Sequence, residues 1–239
     1  IMLASLPEVQ RKQFLDGDWS AYEDAAFPEF NKVNHVVEPF EIPRNWHRFR
    51  ACDWGYSSPA CVLWFAIDFD DNLYIYRELY TKKIVADVFA TQVLNLEHNE
   101  YIRYGVLDSS TWARRGDVGP SIAETMINAG CRWRPSDRSP RSRINGKLEI
   151  HKRLSVRETN DGEKPSLFIF NNCINLIRTL PLLPCDKNNP EDVDTHTEDH
   201  AYDALRYGCM SRPINPHGHG FSSFDNNVNY TPSDKMFGY

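Results

Sequence analysis

Hydrophobic positions along the chain switch between two periods, and the switches divide it into elements. Residues 1–24 read as a helix and polar linker anchored by Phe14, Leu15 and Trp19, and Phe27-Pro28-Glu29-Phe30 breaks it. A loop or short strand pair runs on to about Trp46. Residues 49–53 predict a first strand. Residues 60–67 are almost wholly apolar, as a central strand buried on both faces should be. Residues 73–79 predict a third strand. Turn-rich segments at 54–59 and 68–72 join the three as an antiparallel meander.

The period then lengthens to that of a helix. Ile84, Val88, Val93 and Leu96 place a helix over 83–99. Residues 103–107 form a fourth strand ending at Asp108. A helix over 118–129 stops at Gly130, and 131–134 is a short fifth strand. Residues 141–156 predict a basic helix with Ile144, Leu148, Ile150 and Leu154 inward. A strand over 167–170 and a helix over 173–180 follow. The last helix spans about 198–210, with Thr195 and Glu198 in the spacing of a capping box. The order gives an α/β fold, a ribonuclease-H-like mixed sheet flanked by helices. It divides as a linker helix and lead-in loop over 1–46, a ribonuclease-H-like domain over 47–212, and a flexible tail over 213–239, rich in Asn, Ser, Gly, Pro and His.

Composition narrows the class. The longest apolar run is the eight residues of 60–67, too short to cross a bilayer, so no membrane association is expected. The first 20 residues lack the basic-then-apolar pattern of a secretory signal. The six cysteines form no C-x-x-C pair and several lie in apolar runs, which predicts reduced thiols rather than a zinc site. Gly146-Lys147 lacks the flanking residues of a phosphate-cradling loop, so this chain is not expected to hydrolyse ATP by itself.

Charge is uneven. Residues 132–157 hold nine basic and two acidic residues, a balance of +7, which leaves −13 for the rest of a chain whose net charge is −6. Residues 186–203 carry seven acids and one Lys. A site that binds both phosphate and cations has this character, and so do two solvated surfaces. Arg114, Arg115, Arg138, Arg141, Arg143, Lys147, Lys152 and Arg153 are the candidates for contacts to a nucleic-acid backbone, where cations position a duplex without reading its sequence. Trp112 and Trp133 are read as packing residues.

Three carboxylates stand out. Asp53 and Asp108 each end an apolar strand, and Asp203 lies in a helix among core-like positions. A carboxylate in such company is costly unless paired or metal-bound. If the three converge, their mutual repulsion calls for a divalent cation, and hard oxygen donors suit Mg²⁺ or Mn²⁺. That arrangement fits phosphodiester hydrolysis by two ions about 3.5–4 Å apart. Each Asp taken alone is equally an ordinary surface or capping residue. His200, three residues before Asp203, shares its helix face and is a candidate ligand, proton shuttle or rim residue. Asp199 is read as a charge at the helix N-terminus.

Asp53-Trp54-Gly55 after a strand, Asp108 in Tyr104-Gly105-Val106-Leu107-Asp108-Ser109-Ser110, and Asp199-His200-Ala201-Tyr202-Asp203-Ala204-Leu205-Arg206-Tyr207 together resemble the large terminase subunits of tailed phages. The last motif is the most specific. Residues 14–19 and 27–30 resemble the linker between that family's two domains, and the likeness covers roughly 10–212. It implies a ribonuclease H fold and an endonuclease that cuts concatemeric viral DNA with Mg²⁺ or Mn²⁺. Asp53, Asp108 and Asp203 would be the metal ligands, and His200 an additional catalytic-site residue. It also implies an N-terminal ATPase domain in the full-length protein, with double-stranded DNA, the small terminase subunit and the capsid portal as partners, and the host cell cytoplasm as location. Two rival readings stand beside it. One is another ribonuclease-H-like nuclease of junction-resolvase or integrase type. The other is a non-catalytic module docking to DNA or portal.

Overall fold

The computed structural model describes residues 25–114, 119–159 and 162–213. The anticipated helix within 1–24, Arg115 and nearly all of the tail therefore lie outside the described residues.

In chain order the elements are α1 (Lys32–His35), β1 (Val36–Val37), β2 (His47–Asp53), β3 (Ala60–Ile67), β4 (Leu73–Thr81), α2 (Ala86–Glu97) and β5 (Gly105–Leu107). There follow a 3-10 turn (Ser109–Trp112), α3 (Ile122–Asn128), β6 (Arg134–Pro135), α4 (Ser142–Leu154), β7 (Arg157–Thr159), β8 (Gly162–Lys164), β9 (Leu167–Phe170), α5 (Ile174–Thr179) and α6 (His200–Ser211). Seven strands form one mixed sheet in the order β1-β9-β4-β3-β2-β5-β6. β2, β3 and β4 are the antiparallel meander, while β5 joins β2 and β6 joins β5 in parallel. This is the ribonuclease-H-like arrangement that the order of hydrophobic runs predicted.

β3 is buried along its whole length, which explains its unbroken apolar sequence. Helix α6 lies on the sheet face that carries Phe49, Phe65 and Asp53. Gly208 makes this close approach possible, because a Cβ there would stand 2.3 Å from Phe65 Cζ. On the other side of α6, Gly146 lets α4 come down onto Arg206. A buried network ties α2 to the central strands β2 and β3. Arg50 donates to Glu97 at 2.5 Å and to the Arg132 carbonyl at 2.8 Å, Trp64 Nε1 donates to Glu97 at 2.9 Å, and the Arg50 guanidinium stacks on Trp133 at 4.3 Å. Trp133 is thus a packing residue, as expected, and Trp112 is half-buried against the core.

Several expectations need correction. The segment before Trp46 holds α1 and a two-residue strand paired in parallel with β9 rather than a strand pair. The β7–β8 hairpin was not anticipated, because its polar residues carry no hydrophobic alternation. Leu148 is exposed, and Lys147, Glu149 and Arg153 are buried. The face of α4 that turns inward is therefore the one that meets α6 and the acidic loop, not an apolar stripe. Helix α6 begins at His200 with Asp199 as its N-cap, so Thr195 and Glu198 do not form a capping box. All six cysteines are unpaired and five are buried.

Candidate metal centre

The ends of two neighbouring parallel strands place the first two acids. Cys52 pairs with Leu107, and the Asp108 amide donates to the Cys52 carbonyl at 3.0 Å. Asp53 and Asp108 are therefore the next residues on both strands. Because side chains alternate and Ala51 faces with its partner Val106, the two carboxylates leave the sheet on the same face. The third acid comes from α6. His200 Nδ1 stands 3.0 Å from Asp53 Oδ2, which pins the first turn of the helix over the strand end, and Asp203 follows one turn on. The hydroxyl of Tyr207 reports the convergence. Burial raises its pKa first, and the negative charges of Asp203, Asp53 and Asp108 all push it in the same direction. The chain thus brings Asp53, Asp108, Asp203 and His200 to one end of the sheet.

Each carboxylate has other partners. Burial, with the charges of Asp203 and Asp108, holds the Asp53 carboxyl well above the usual carboxylate range, while the His200 hydrogen bond acts against this. The same hydrogen bond raises the His200 imidazole. Asp108 caps the 3-10 turn after β5, accepting from the Ser110 amide at 3.1 Å and from the Ser110 hydroxyl. Asp203 accepts from Arg206 Nε at 2.9 Å and lies 3.7 Å from Arg143. Asp199 is buried at the N-cap without a side-chain cap bond, and burial and Asp203 raise its carboxyl to about 6.

The donor set is chemically right for a hard divalent cation, since it consists of carboxylate oxygens held near one another against their own repulsion. It is not a closed shell as placed. Among the described residues no group of three His, Cys, Asp or Glu side chains stands close enough to hold one ion. Asp203 and Asp108 would have to turn from Arg206 and Ser110 toward Asp53.

The basic candidates divide. Lys147 is buried, and its ammonium donates to the Pro190 carbonyl at 3.0 Å and to Cys185 Sγ at 3.2 Å, so it pins the acidic loop rather than facing solvent. Arg153 is fully buried and donates to the carbonyls of Asp71 and Arg212 at 3.0 and 2.7 Å. Neither is placed for a backbone phosphate. Arg143 bonds Asp192 at 2.8 Å and lies 3.7 Å from Asp203. Arg141 pairs with Glu191 and Arg114 with Glu124, both at the surface, and Lys152 with Glu149. Arg138 is exposed. The basic and acidic stretches, read separately in the sequence, thus meet and partly neutralise each other.

Sequence reasoning missed Arg206 as a partner of Asp203, although its i+3 spacing was the available signal. It also missed the clamp that fixes the α6 entrance. There Arg178 donates twice to Glu198, at 2.8 and 2.7 Å, and the Tyr80 hydroxyl donates to the same carboxylate at 2.7 Å.

Fold and site define a ribonuclease-H-like α/β domain with an acidic centre at the ends of β2 and β5. Among solved structures it shares this fold with the nuclease domain of the phage P22 large terminase, at 20% identity and a TM-score of 0.63, covering 79% of this chain and 92% of that one. The large terminase of a thermophilic bacteriophage matches at 14% identity and a TM-score of 0.62, over 87% of this chain and 50% of that one, so the chain spans about half of that protein. The large terminase nuclease of thermophilic phage G20c matches at 12% identity and a TM-score of 0.54, over 80% of this chain and all of that one, and it has also been solved with bound zinc. No family model and no curated protein matches this chain.

Proposed function

We propose that this chain is the nuclease portion of a phage large terminase, a Mg²⁺- or Mn²⁺-dependent endonuclease that cuts concatemeric duplex DNA during genome packaging. The observation that carries this reading is that Asp53 and Asp108 end adjacent parallel strands and His200, one turn before Asp203, is bonded to Asp53, in a fold shared with terminase nucleases. Bound zinc in the G20c nuclease supports a divalent-cation site in the same fold.

Asp53, Asp108 and Asp203 would hold the metal, which when bound supplies Lewis acidity toward the phosphodiester and a more acidic water, most simply as two ions. The protein's own residues do the rest. The hydrogen bond between His200 and Asp53 fixes the imidazole, and His200 would be the group of this chain that moves a proton in the reaction. Arg138, Arg141 and Arg114 are exposed, and the surface pairs of Arg141 and Arg114 are weak enough to exchange for backbone phosphates. An ATPase domain in the full-length protein, the small terminase subunit and the portal would complete the machine, acting in the host cytoplasm. Among the described residues no helix is long and apolar enough to cross a membrane. The domain limits 47–212, with a linker before and a tail after, belong to the same proposal.

The engagement of Asp203 by Arg206 and Arg143 favours one other reading, a docking module with a silent centre. Linear duplex DNA incubated with the chain in Mn²⁺ separates the two. Cutting that Asp108→Ala and Asp203→Ala each lower by about 100-fold or more, with folding retained, supports the enzyme. Retention of DNA without any cutting by the unsubstituted chain establishes the module.

A further inference from the structure

Arg143 bridges two acids of different standing. Its Nε donates to Asp192 of the acidic loop at 2.8 Å, and its Nη1 lies 3.7 Å from Asp203, an ion pair too long for a hydrogen bond. Its Nη2 is buried with no partner. Asp192 is itself anchored, since its carbonyl accepts from Lys147 and from the Asp186 amide, so the loop that holds Arg143 is fixed on α4. Arg206, the other cation on Asp203, is almost wholly buried and stacked on Tyr207 at 4.5 Å, so it belongs to the packing of α6. Arg143 is one-third exposed and divided between two carboxylates, which makes it the adjustable cation of the pair.

We propose that Arg143 is a positioning residue that competes with the metal for Asp203, and that Asp192 sets the strength of this competition by drawing the guanidinium away. The inference rests on the metal-centre reading above. Its physical basis is that a divalent ion and a guanidinium drawn to the same carboxylate repel each other, and a half-buried site screens that repulsion less than open solvent does. The loop bearing Asp192 then favours metal loading by holding the competing guanidinium off Asp203.

The test is Mn²⁺ binding to the complete chain, read from loss of the free-ion electron paramagnetic resonance signal, with circular dichroism to verify folding. Arg143→Gln removes the competitor and should tighten Mn²⁺ binding by roughly tenfold. Asp192→Asn leaves Arg143 wholly to Asp203 and should weaken binding several-fold. A purely structural role for the Asp192–Arg143 pair would weaken binding in both variants, and that outcome overturns the proposal. So does an unchanged affinity in both when the wild-type chain binds. If Arg143→Gln does not fold, Arg143→Met takes its place, with the same tightening expected and a weakened or unchanged affinity overturning the proposal. Mn²⁺ binding by none of the proteins removes the metal site itself, and the inference with it.

Discussion

His200 Nδ1 lies 3.0 Å from Asp53 Oδ2, and this one contact joins the last residue of β2 to the first residue of α6 across 147 positions of sequence. It decides where α6 begins relative to the sheet, and therefore where Asp203 stands. It also couples the two groups electrostatically, since burial pushes the Asp53 carboxyl up and the hydrogen bond with Asp53 raises the His200 imidazole.

Substitution of Asp53 should separate stability from activity. The Asp53 carboxyl is raised from the ordinary value to about 7, so the folded protein binds this proton more tightly than the unfolded chain. Its contribution to stability is fully present below the unfolded pKa near 4 and is lost as pH rises to about 7. Asp53→Asn removes that loss. The melting temperature should rise by about 2–6 °C at pH 8 and change little at pH 4, while cutting in Mn²⁺ disappears. Thermal melts of both proteins at the two pH values check this. An equal shift at both, or a fall at pH 8, contradicts it.

Glu97 is the acceptor on which Arg50 of β2 and Trp64 of β3 both depend beneath the middle of the sheet. Glu97→Ala strands a buried guanidinium and should cost about 3–5 kcal/mol. Glu97→Gln keeps an acceptor and should cost distinctly less. Urea denaturation at neutral pH measures both, and a loss below about 1 kcal/mol for the alanine variant would show that solvent reaches Arg50.

Gly208 sits in a helix, where alanine ordinarily gains about 1 kcal/mol. Here the added methyl meets the Phe65 ring, whose Cζ and Cε2 stand 2.3 and 2.7 Å from the ideal Cβ position. Gly208→Ala should instead destabilise by about 1–3 kcal/mol and shift α6 away from the sheet. Because α6 carries Asp203 and His200, Mn²⁺ affinity should fall together with stability. A stabilised variant with unaltered metal binding would contradict the close approach.

Exposed and buried cations should behave differently toward DNA. Arg138→Glu and Arg141→Glu should weaken duplex binding uniformly across sequences, each flattening the dependence of log affinity on log salt by about one unit. Lys147→Met should leave that slope unchanged and lower the melting temperature, since its ammonium serves the Pro190 and Asp192 carbonyls. Fluorescence anisotropy at several salt concentrations measures the slopes, and a flattened slope in Lys147→Met would move the DNA path onto the α4 face beside the acidic loop.

Hydrophobic period alone was enough for the sheet. The unbroken apolar run of 60–67 could only be a strand buried on both faces, and it is β3 with the same limits. Asp53, Asp108 and Asp203 were legible because a carboxylate at the end of an apolar strand, or among core positions of a helix, is an energetic anomaly that local sequence exposes. The partners of those acids were not legible. Lys147 and Arg153 read as solvent-facing cations on a helix, yet both are buried, because carbonyls of Pro190, Asp71 and Arg212 arrive from distant segments to accept their protons. Arg143 read as a phosphate contact and proved to be shared between Asp192 and Asp203. Periodicity and composition are properties of neighbours in sequence, so the chain by itself determined the β2–β3–β4 meander and the main helices, while the polar β7–β8 hairpin and the pairing of β1 with β9 left no such trace. Which charge faces which acid is a matter of distances between remote segments, and Coulomb energy depends on those distances alone, so only the tertiary structure decided it.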